Sequence, residues 1–238
     1  MKTSGITRQF ITLVTLALLT TTGPAVAEEL ESSIARGGRL YDKWYAVVGA
    51  DKPSESHPLY PTNKQYADDP GSNWRCKECH GWDNSGKDGA YSSGKHQTGI
   101  AGIKGASGMP IEQIISVLKS EAHGYSALLS DEDLTDLANF VSKGQVDMDR
   151  FIDRESKSPK GDAAKGEAYF NTVCAICHGT DGLKPKLMDP LGALMSNPWE
   201  IMHKILNGQP DEEMPALRAF DHQITADIMA YMMTLPKE

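Results

Sequence analysis

The four cysteines of the chain lie in two Cys-x-x-Cys pairs, Cys76 with Cys79 and Cys174 with Cys177. In an oxidising compartment, four cysteines can form two structural disulfides. Four thiolates can also bind one zinc ion, but the two pairs are 98 residues apart, far beyond the spacing of a zinc ribbon. The residue directly after each pair is a histidine, and this residue decides between the alternatives.

Both motifs have the pattern Cys-x-x-Cys-His followed by glycine, at residues 76–81 and 174–179. Two thiols at this spacing add to the two vinyl groups of one haem, and the turn between them brings the histidine under the iron. A single motif could be a redox dithiol with a chance histidine, but two copies in a repeat indicate haem. The sequence therefore predicts two covalently bound haem c groups, with His80 and His178 as proximal iron ligands.

The first 27 residues are typical of a secretory signal peptide. Lys2 and Arg8 give a basic start, residues 11–19 are apolar, and residues 25–27 form an Ala-Val-Ala cleavage site. The alternative is a membrane anchor, but the apolar stretch is about half of the roughly 20 residues that span a bilayer. We expect export to the periplasm and no membrane span in the mature chain.

Cleavage after residue 27 leaves 211 residues with 22 Lys and Arg against 32 Asp and Glu, a net charge of −10. An acidic exported protein is a poor candidate for binding nucleic acid or an anionic membrane. Opposite charges steer the encounter of proteins, so this charge suits redox partner proteins with a basic docking surface. Solubility alone explains the charge equally well.

The mature sequence contains a diverged tandem repeat. Each copy begins with a helical stretch, in which Gly38 and Tyr41 align with Gly166 and Tyr169. The tyrosine precedes the first cysteine by 35 residues in the first copy and by 5 in the second, so the first copy has an insertion of about 30 residues. We expect this insertion to form an ordered loop over the haem edge, or a docking surface.

Two later helices also repeat. A proline begins the earlier one, Pro110 or Pro198, where its missing N–H would have had no partner. Ser130 and Asp221 are the expected N-caps of the final helices. The pattern predicts an all-α fold of two tandem domains, with these bounds: signal peptide 1–27, first domain 28–144 with its inserted loop at about 45–73, polar linker 145–160, and second domain 161–238.

With these features, the chain resembles the class I cytochromes c. The resemblance covers most of residues 159–238 and, more loosely, residues 34–45 and 74–144. It rests on the order of helix, Cys-x-x-Cys-His, Met-Pro and final helix, and it implies one class I cytochrome c domain around each haem. Tandem cytochromes of this family occur as small periplasmic electron carriers and as the cytochrome subunit of flavocytochrome sulfide dehydrogenases.

The resemblance also implies the sixth iron ligands. In this family the ligand is a loop methionine, and Met214 before a proline matches it, 36 residues after His178. A thioether favours ferrous iron and raises the reduction potential. Other methionines nearby are competitors, although methionines at such places usually fill a core. The competitors are Met188, Met195 and Met202.

The first copy departs from the family pattern. Met214 lies 13 residues before Asp227 and 17 before Tyr231 in the final helix of the second copy. The same counts back from their partners in the first copy, Asp136 and Phe140, both give His123, so His123 is the implied distal ligand of the first haem. Two alternatives stay open: Met109, whose Met-Pro pair aligns with the start of an earlier helix, and His96, in the longer loop after the first motif. The remaining histidines outside the motifs are interpreted as structural or surface residues: His57, His203 and His222.

We expect an electron carrier or relay, because protein side chains fill both axial positions of each iron and no catalytic residue is predicted. A His/His haem has a lower potential than a His/Met haem, so electrons should rest on the second domain.

The alternative is an oxidoreductase, or its electron-transfer subunit, acting on a small inorganic substrate such as a sulfur compound. Di-haem thiosulfate dehydrogenases use a cysteine at the active haem, and this sequence has no cysteine to spare. Di-haem peroxidases match poorly in length and motifs, and a gas sensor needs a five-coordinate haem.

Overall fold

The computed structural model describes the backbone of residues 23–238 and the side chains of residues 28–238. The predicted signal peptide, residues 1–27, therefore lies outside the described side chains, and residues 1–22 lie outside the description altogether. Among the helices of residues 23–238, none combines the length and apolar character that a membrane crossing needs. The same residues contain no β-strand beyond two isolated bridges, in agreement with an all-α fold.

The helices follow in chain order, with irregular segments between them. In the first half they are α1 (Gly23–Val47), α2 (Pro70–Asn73), α3 (Cys76–His80), α4 (Ile111–Lys119) and α5 (Asp131–Lys143). In the second half they are α6 (Ala163–Tyr169), α7 (Ala175–His178), α8 (Leu191–Leu194), α9 (Pro198–Asn207) and α10 (His222–Met232). Short 3₁₀ turns lie at Lys104–Ala106, Tyr125–Ala127 and Met148–Arg150, and a π turn at Phe170–Cys174 joins α6 to α7.

Each half is built on a crossing of its first helix with its last. Helix α1 packs against α5, and α6 packs against α10. A Cβ atom added at Gly37 would overlap the carbonyl oxygen of Asp136, and one added at Gly166 would overlap that of Asp227. Glycine is therefore required at both crossings, since any side chain would force the two helices apart.

This geometry corrects the alignment of the first helices by one residue. Gly37, and not Gly38, has the place of Gly166 at the crossing. The aromatic partners shift in the same way: the Tyr41 ring lies 5.1 Å from that of Phe140, and the Phe170 ring lies 5.4 Å from that of Tyr231. Gly37 and Gly38 are consecutive in the sequence, and the expected alignment of Gly38 with Gly166 is wrong.

The predicted helix caps are confirmed. The Ser130 hydroxyl accepts a hydrogen bond from the Asp133 N–H at 3.1 Å, and the Asp133 carboxylate accepts one from the Ser130 N–H at 2.9 Å, which is a capping box. The Asp221 carboxylate accepts the Gln223 N–H at 2.9 Å. Pro198 begins α9 as expected, whereas Pro110 lies one residue before α4.

Residues 145–160 differ from the polar linker that the sequence predicts. Met148, Phe151 and Ile152 are buried in the core of the second half, and Ile152 is fully inaccessible to solvent. Trp82 from the first half belongs to the same core. The many charged residues of the segment conceal these three apolar side chains, because they follow neither a helical nor an alternating pattern.

The two halves meet where α1 packs against α9. His203 on α9 is buried, and its Nε2 lies 2.8 Å from the carbonyl oxygen of Gly38. Arg39 Nη1 donates to the carbonyl oxygen of Asn207 at 3.0 Å, and Lys204 forms an ion pair with the buried Asp42 at 3.2 Å. His203 is therefore a structural residue of this interface.

Candidate haem sites

The first Cys-x-x-Cys-His motif forms α3, a single helical turn that ends at Gly81 with a φ of +79°. Beside this turn lies a cavity of about 280 Å³, to which Cys76, Cys79 and His80 all contribute. Helices α4 and α5 and the segment before α4 supply a mainly apolar wall: Ile103, Ala106, Ile114, Leu118, Leu137 and Val141. An apolar cavity with two thiols and an imidazole at its edge fits a covalently bound haem.

His80 is oriented for binding a metal. Its Nδ1 lies 2.8 Å from the carbonyl oxygen of Ala101. A carbonyl oxygen only accepts, so Nδ1 carries the proton and Nε2 keeps its lone pair free for a metal ion. Burial also lowers the pKa of His80, which favours the neutral imidazole that metals bind.

The two thiols of the first motif are poorly suited to thiol–disulfide exchange. Burial raises the pKa of Cys76 to about 11 and that of Cys79 to about 12. Thiols in redox motifs have a lowered pKa, because the thiolate is the nucleophile. These values therefore disfavour the alternative of a redox dithiol.

His123 lines the same cavity as His80. It is half-buried, and burial lowers its pKa, so its imidazole is neutral at physiological pH. Its Nδ1 is buried and has no hydrogen-bond partner among the described residues. Leaving a buried polar atom unpaired costs about 1–3 kcal/mol, and such a ring nitrogen at a cavity suits contact with a bound group.

The two rival ligands lie in different places. Met109 also lines the cavity, so it shares the site with His80 and His123. His96 is not among the cavity residues, and its ring stacks between Tyr66 and Tyr91 at centroid distances of 5.1 and 4.6 Å. Its Nδ1 lies 2.9 Å from the carboxylate of Glu78, which is fully buried. These contacts hold His96 outside the cavity.

His57 is a site residue that sequence reasoning missed. The sequence predicts a structural or surface residue, but the His57 side chain is buried and lines the cavity together with Leu59. Both residues belong to the inserted loop, which is ordered and covers the cavity. No spacing to a motif marks His57 in the sequence, because the loop has no counterpart in the second copy.

The second motif follows the π turn Phe170–Cys174 and forms α7. Cys174 and Met214 both pack against the core of the second half, whereas Cys177 is exposed. His178 is half-buried, burial lowers its pKa, and its Nδ1 is buried without a partner among the described residues. A single-turn π helix often marks a functional site, and here it leads directly into the motif.

The competing methionines of the second half are distributed as expected for core residues, with one exception. Met195 and Met202 are buried in the core. Met188 is exposed at 37% of its surface. Met214 lies in the loop between α9 and α10, and it packs against the same core as Cys174.

One family model matches part of the second half. Residues 161–232 match the family model described as cytochrome C oxidase, cbb3-type, subunit III. This range contains the second motif, Met214 and α6 to α10. No curated protein matches the chain at a significant level.

Among solved structures, the chain is similar to a chain of the reducing HAO-like protein complex of Kuenenia stuttgartiensis. The two are 13% identical over 77% of this chain and 98% of that chain, with a TM-score of 0.28, which is too low to establish a common fold. The family match alone carries the assignment: residues 161–232 form a cytochrome c domain, which supports a c-type cytochrome that transfers electrons through covalently bound haem c.

Proposed function

We propose that the protein is a periplasmic di-haem cytochrome that carries or relays electrons between redox partner proteins. The first haem is attached to Cys76 and Cys79, with His80 and His123 as axial ligands. The second is attached to Cys174 and Cys177, with His178 and Met214 as axial ligands. Each haem, when bound, supplies a one-electron couple of its iron, and the chain supplies attachment, axial ligands and surroundings.

The observation that carries this proposal is the cavity in the first half. The family model matches the second half alone, yet the first half has a Cys-x-x-Cys-His turn whose thiols and histidine border an apolar cavity. His123 contributes a second imidazole to that cavity. Two imidazoles and two thiols around an apolar space would suit a covalently bound haem with two histidine ligands.

The residues around the first site determine how it exchanges electrons. The carbonyl oxygen of Ala101 fixes the His80 ring, so the proximal ligand keeps one orientation in both oxidation states. The apolar walls of the cavity would keep water away from a bound haem, which would lower the solvent reorganisation that accompanies electron transfer. With His80 and His123 holding one iron and His178 and Met214 the other, neither iron would offer a vacant position to a substrate.

The two ligand sets give the haems unequal potentials. Imidazole is a stronger donor to ferric iron than a thioether, so the His/His haem has the lower potential. An electron that entered at the first haem would therefore pass downhill to the second. The acidic mature chain, at −10, favours partners with a basic docking surface.

A second candidate is an electron-transfer subunit of an oxidoreductase. It is favoured by the family match, because the matching model is described as a subunit of an oxidase. In that role the haems keep the same ligands, and the partner holds the catalytic site. A stable complex with another subunit after gentle isolation from the periplasm would distinguish this role from that of a free carrier.

The haem content of the mature protein tests the proposal. The denatured mature protein, assayed as its pyridine complex in alkali, should retain two haems per chain. A potentiometric titration should then resolve two one-electron steps. Recovery of one haem per chain, or of a colourless folded protein that contains zinc, contradicts the proposal.

A further inference from the structure

We propose that His57 is a positioning residue for the first haem: it holds the backbone of His123 and so directs the His123 ring toward the iron. This inference rests on the proposed function, through the assignment of His123 as a ligand. It gives the inserted loop a specific task, which is to complete the distal side of the first site.

The hydrogen bonds of His57 define its tautomer. Its Nδ1 accepts a hydrogen bond from the Leu59 N–H at 3.2 Å. The proton of the neutral ring is therefore on Nε2, which lies 3.3 Å from the carbonyl oxygen of His123 and donates to it. Both ring nitrogens are thus used, and neither is free to bind iron.

His57 is itself held rigidly. Its backbone N–H donates to Asn73 Oδ1 at 2.9 Å, and the Asn73 side chain is buried and donates to the carbonyl oxygens of Tyr66 and Ala67 at 2.9 and 3.2 Å. The His57 ring also packs edge-on against Trp74, with centroids 4.4 Å apart. These contacts tie the inserted loop to the residues directly before the first motif.

His123 needs such a contact because it lies in a short connection. It follows α4, its N–H donates to the carbonyl oxygen of Ser120 at 3.1 Å, and Gly124 after it has a φ of +73°. A hydrogen bond to the His123 carbonyl oxygen fixes the peptide plane between His123 and Gly124. The orientation of this plane sets the direction of the His123 side chain. A ligand held in advance loses less conformational freedom when it binds the iron.

In the second half, the first helix continues directly into the motif through the π turn Phe170–Cys174, so no inserted loop stands between them. Among the described residues, the second site therefore lacks a counterpart of the segment that carries His57. Loss of the His57 contact should therefore affect one haem and leave the other unchanged, which provides an internal reference within a single molecule.

The test uses full-length holoprotein reduced with dithionite at neutral pH. His57→Phe keeps a ring against Trp74 but removes both ring hydrogen bonds, and His57→Gln retains an N–H near the position of Nε2. With two haems per chain confirmed, carbon monoxide should bind one haem of His57→Phe about tenfold faster than in the wild type, as the loss of roughly one hydrogen bond predicts. His57→Gln should restore most of the wild-type rate.

His222→Phe is the control, because it makes the same substitution at a half-buried histidine on α10, in the second half. It should leave the first haem unchanged. Carbon monoxide binding that is equal in His57→Phe and wild type, with two haems in each, overturns the inference. So does complete opening of one haem in both His57 variants, since His57 would then be a ligand itself. A wild type with fewer than two haems contradicts the proposed function instead.

A measurement on the wild type covers the case in which the variants do not fold. The reduced protein with two low-spin ferrous haems is diamagnetic, so nitrogen-15 spectra of its histidines report the tautomer. His57 should have a protonated Nε2 and an unprotonated Nδ1. The opposite tautomer overturns the inference, because Nε2 could then not donate to His123.

Discussion

Arg218 Nε donates a hydrogen bond of 3.0 Å to Asn207 Oδ1, and these two residues lie at the two ends of the loop that carries Met214. Both side chains are buried. Asn207 Nδ2 also donates to the carbonyl oxygen of His203 at 2.8 Å, and the Leu217 N–H donates to that of Ile205 at 2.9 Å. The loop is therefore closed at its base, which limits the positions that Met214 can reach.

Replacing Arg218 tests this closure. Arg218→Met removes the hydrogen bond and keeps an apolar chain of similar length, and the loss of a bond from a charged donor costs about 1.5–3 kcal/mol. The bond between the Met214 thioether and ferric haem iron should give a weak long-wavelength absorption band in the oxidised protein. On heating Arg218→Met, this band should disappear at a lower temperature than in the wild type, while both haems stay attached. Arg150→Met, at an exposed arginine, should leave the band unchanged. An unaltered band in Arg218→Met shows that the loop does not depend on this bond.

Met214→His tests the distal ligand of the second haem. An imidazole should replace the thioether, so the sulfur-to-iron band should vanish and the potential of that haem should fall. Absorbance of the oxidised protein and a potentiometric titration check these outcomes. Met188→Leu, at an exposed methionine, should leave both unchanged. A wild type that lacks the band shows that Met214 is not the ligand.

His123→Met tests the distal ligand of the first haem. It should create a second sulfur-to-iron band and raise the lower of the two potentials. His96→Ala should leave both haem spectra unchanged, although it removes a partner of the buried Glu78 and should reduce stability by about 1–3 kcal/mol. The ligand assignment is wrong if His96→Ala opens the first haem to carbon monoxide and His123→Ala does not.

Attachment at the second motif is tested by Cys174→Ala. One of the two thioether bonds is lost, so the denatured variant should retain the first haem and weaken or lose the second. Haem staining after denaturing electrophoresis, with quantification in alkaline pyridine, measures the change. Full retention of two haems at wild-type strength contradicts attachment at Cys174.

The buried His203 makes stability depend on pH. Burial lowers the pKa of His203 to about 4. The negative charge of Asp42 raises this pKa, and the positive charges of Arg218 and Lys204 lower it further. The unfolded chain therefore binds a proton at His203 before the native protein does, so stability is lost as the pH falls from about 6.5 to about 4. The full loss is about 3 kcal/mol.

Urea unfolding of the holoprotein at several pH values measures this dependence. His203→Gln keeps a donor for the Gly38 carbonyl and cannot titrate, so its stability should fall less steeply over the same interval. Burial also lowers the pKa of the half-buried His222, but less than that of His203, so His222→Gln should flatten the slope less than His203→Gln. Equal slopes in His203→Gln and wild type show that the buried imidazole does not cause the loss.

The local features of this fold can be predicted from the sequence. The two motifs, the caps Ser130 and Asp221 and the proline that begins α9 depend on residues within a few positions of one another. Such features follow from local geometry and hydrogen bonding, so the chain alone indicates them. The all-α fold and the cytochrome c domain follow from their order.

Features that depend on long-range packing could not be predicted. The contact between His57 and His123 joins residues 66 positions apart, and the choice of Gly37 at the α1–α5 crossing depends on which face of α1 meets α5. Burial of Ile152 depends on a core to which Trp82 also contributes. Each of these depends on how separate segments meet in space, which no periodicity of the sequence encodes.

The two consecutive glycines of α1 face different neighbours. Gly37 lies against Asp136 of α5, and a Cβ atom at Gly38 would overlap the side chain of Asn207 on α9. Adjacent helical residues point about 100° apart, so one turn of α1 is in backbone contact with both halves at once. Any tilt of α1 that widens one contact changes the other. In the proposed di-haem cytochrome, this shared contact would hold the two sites at a nearly constant spacing, so electron transfer between them would need no conformational search.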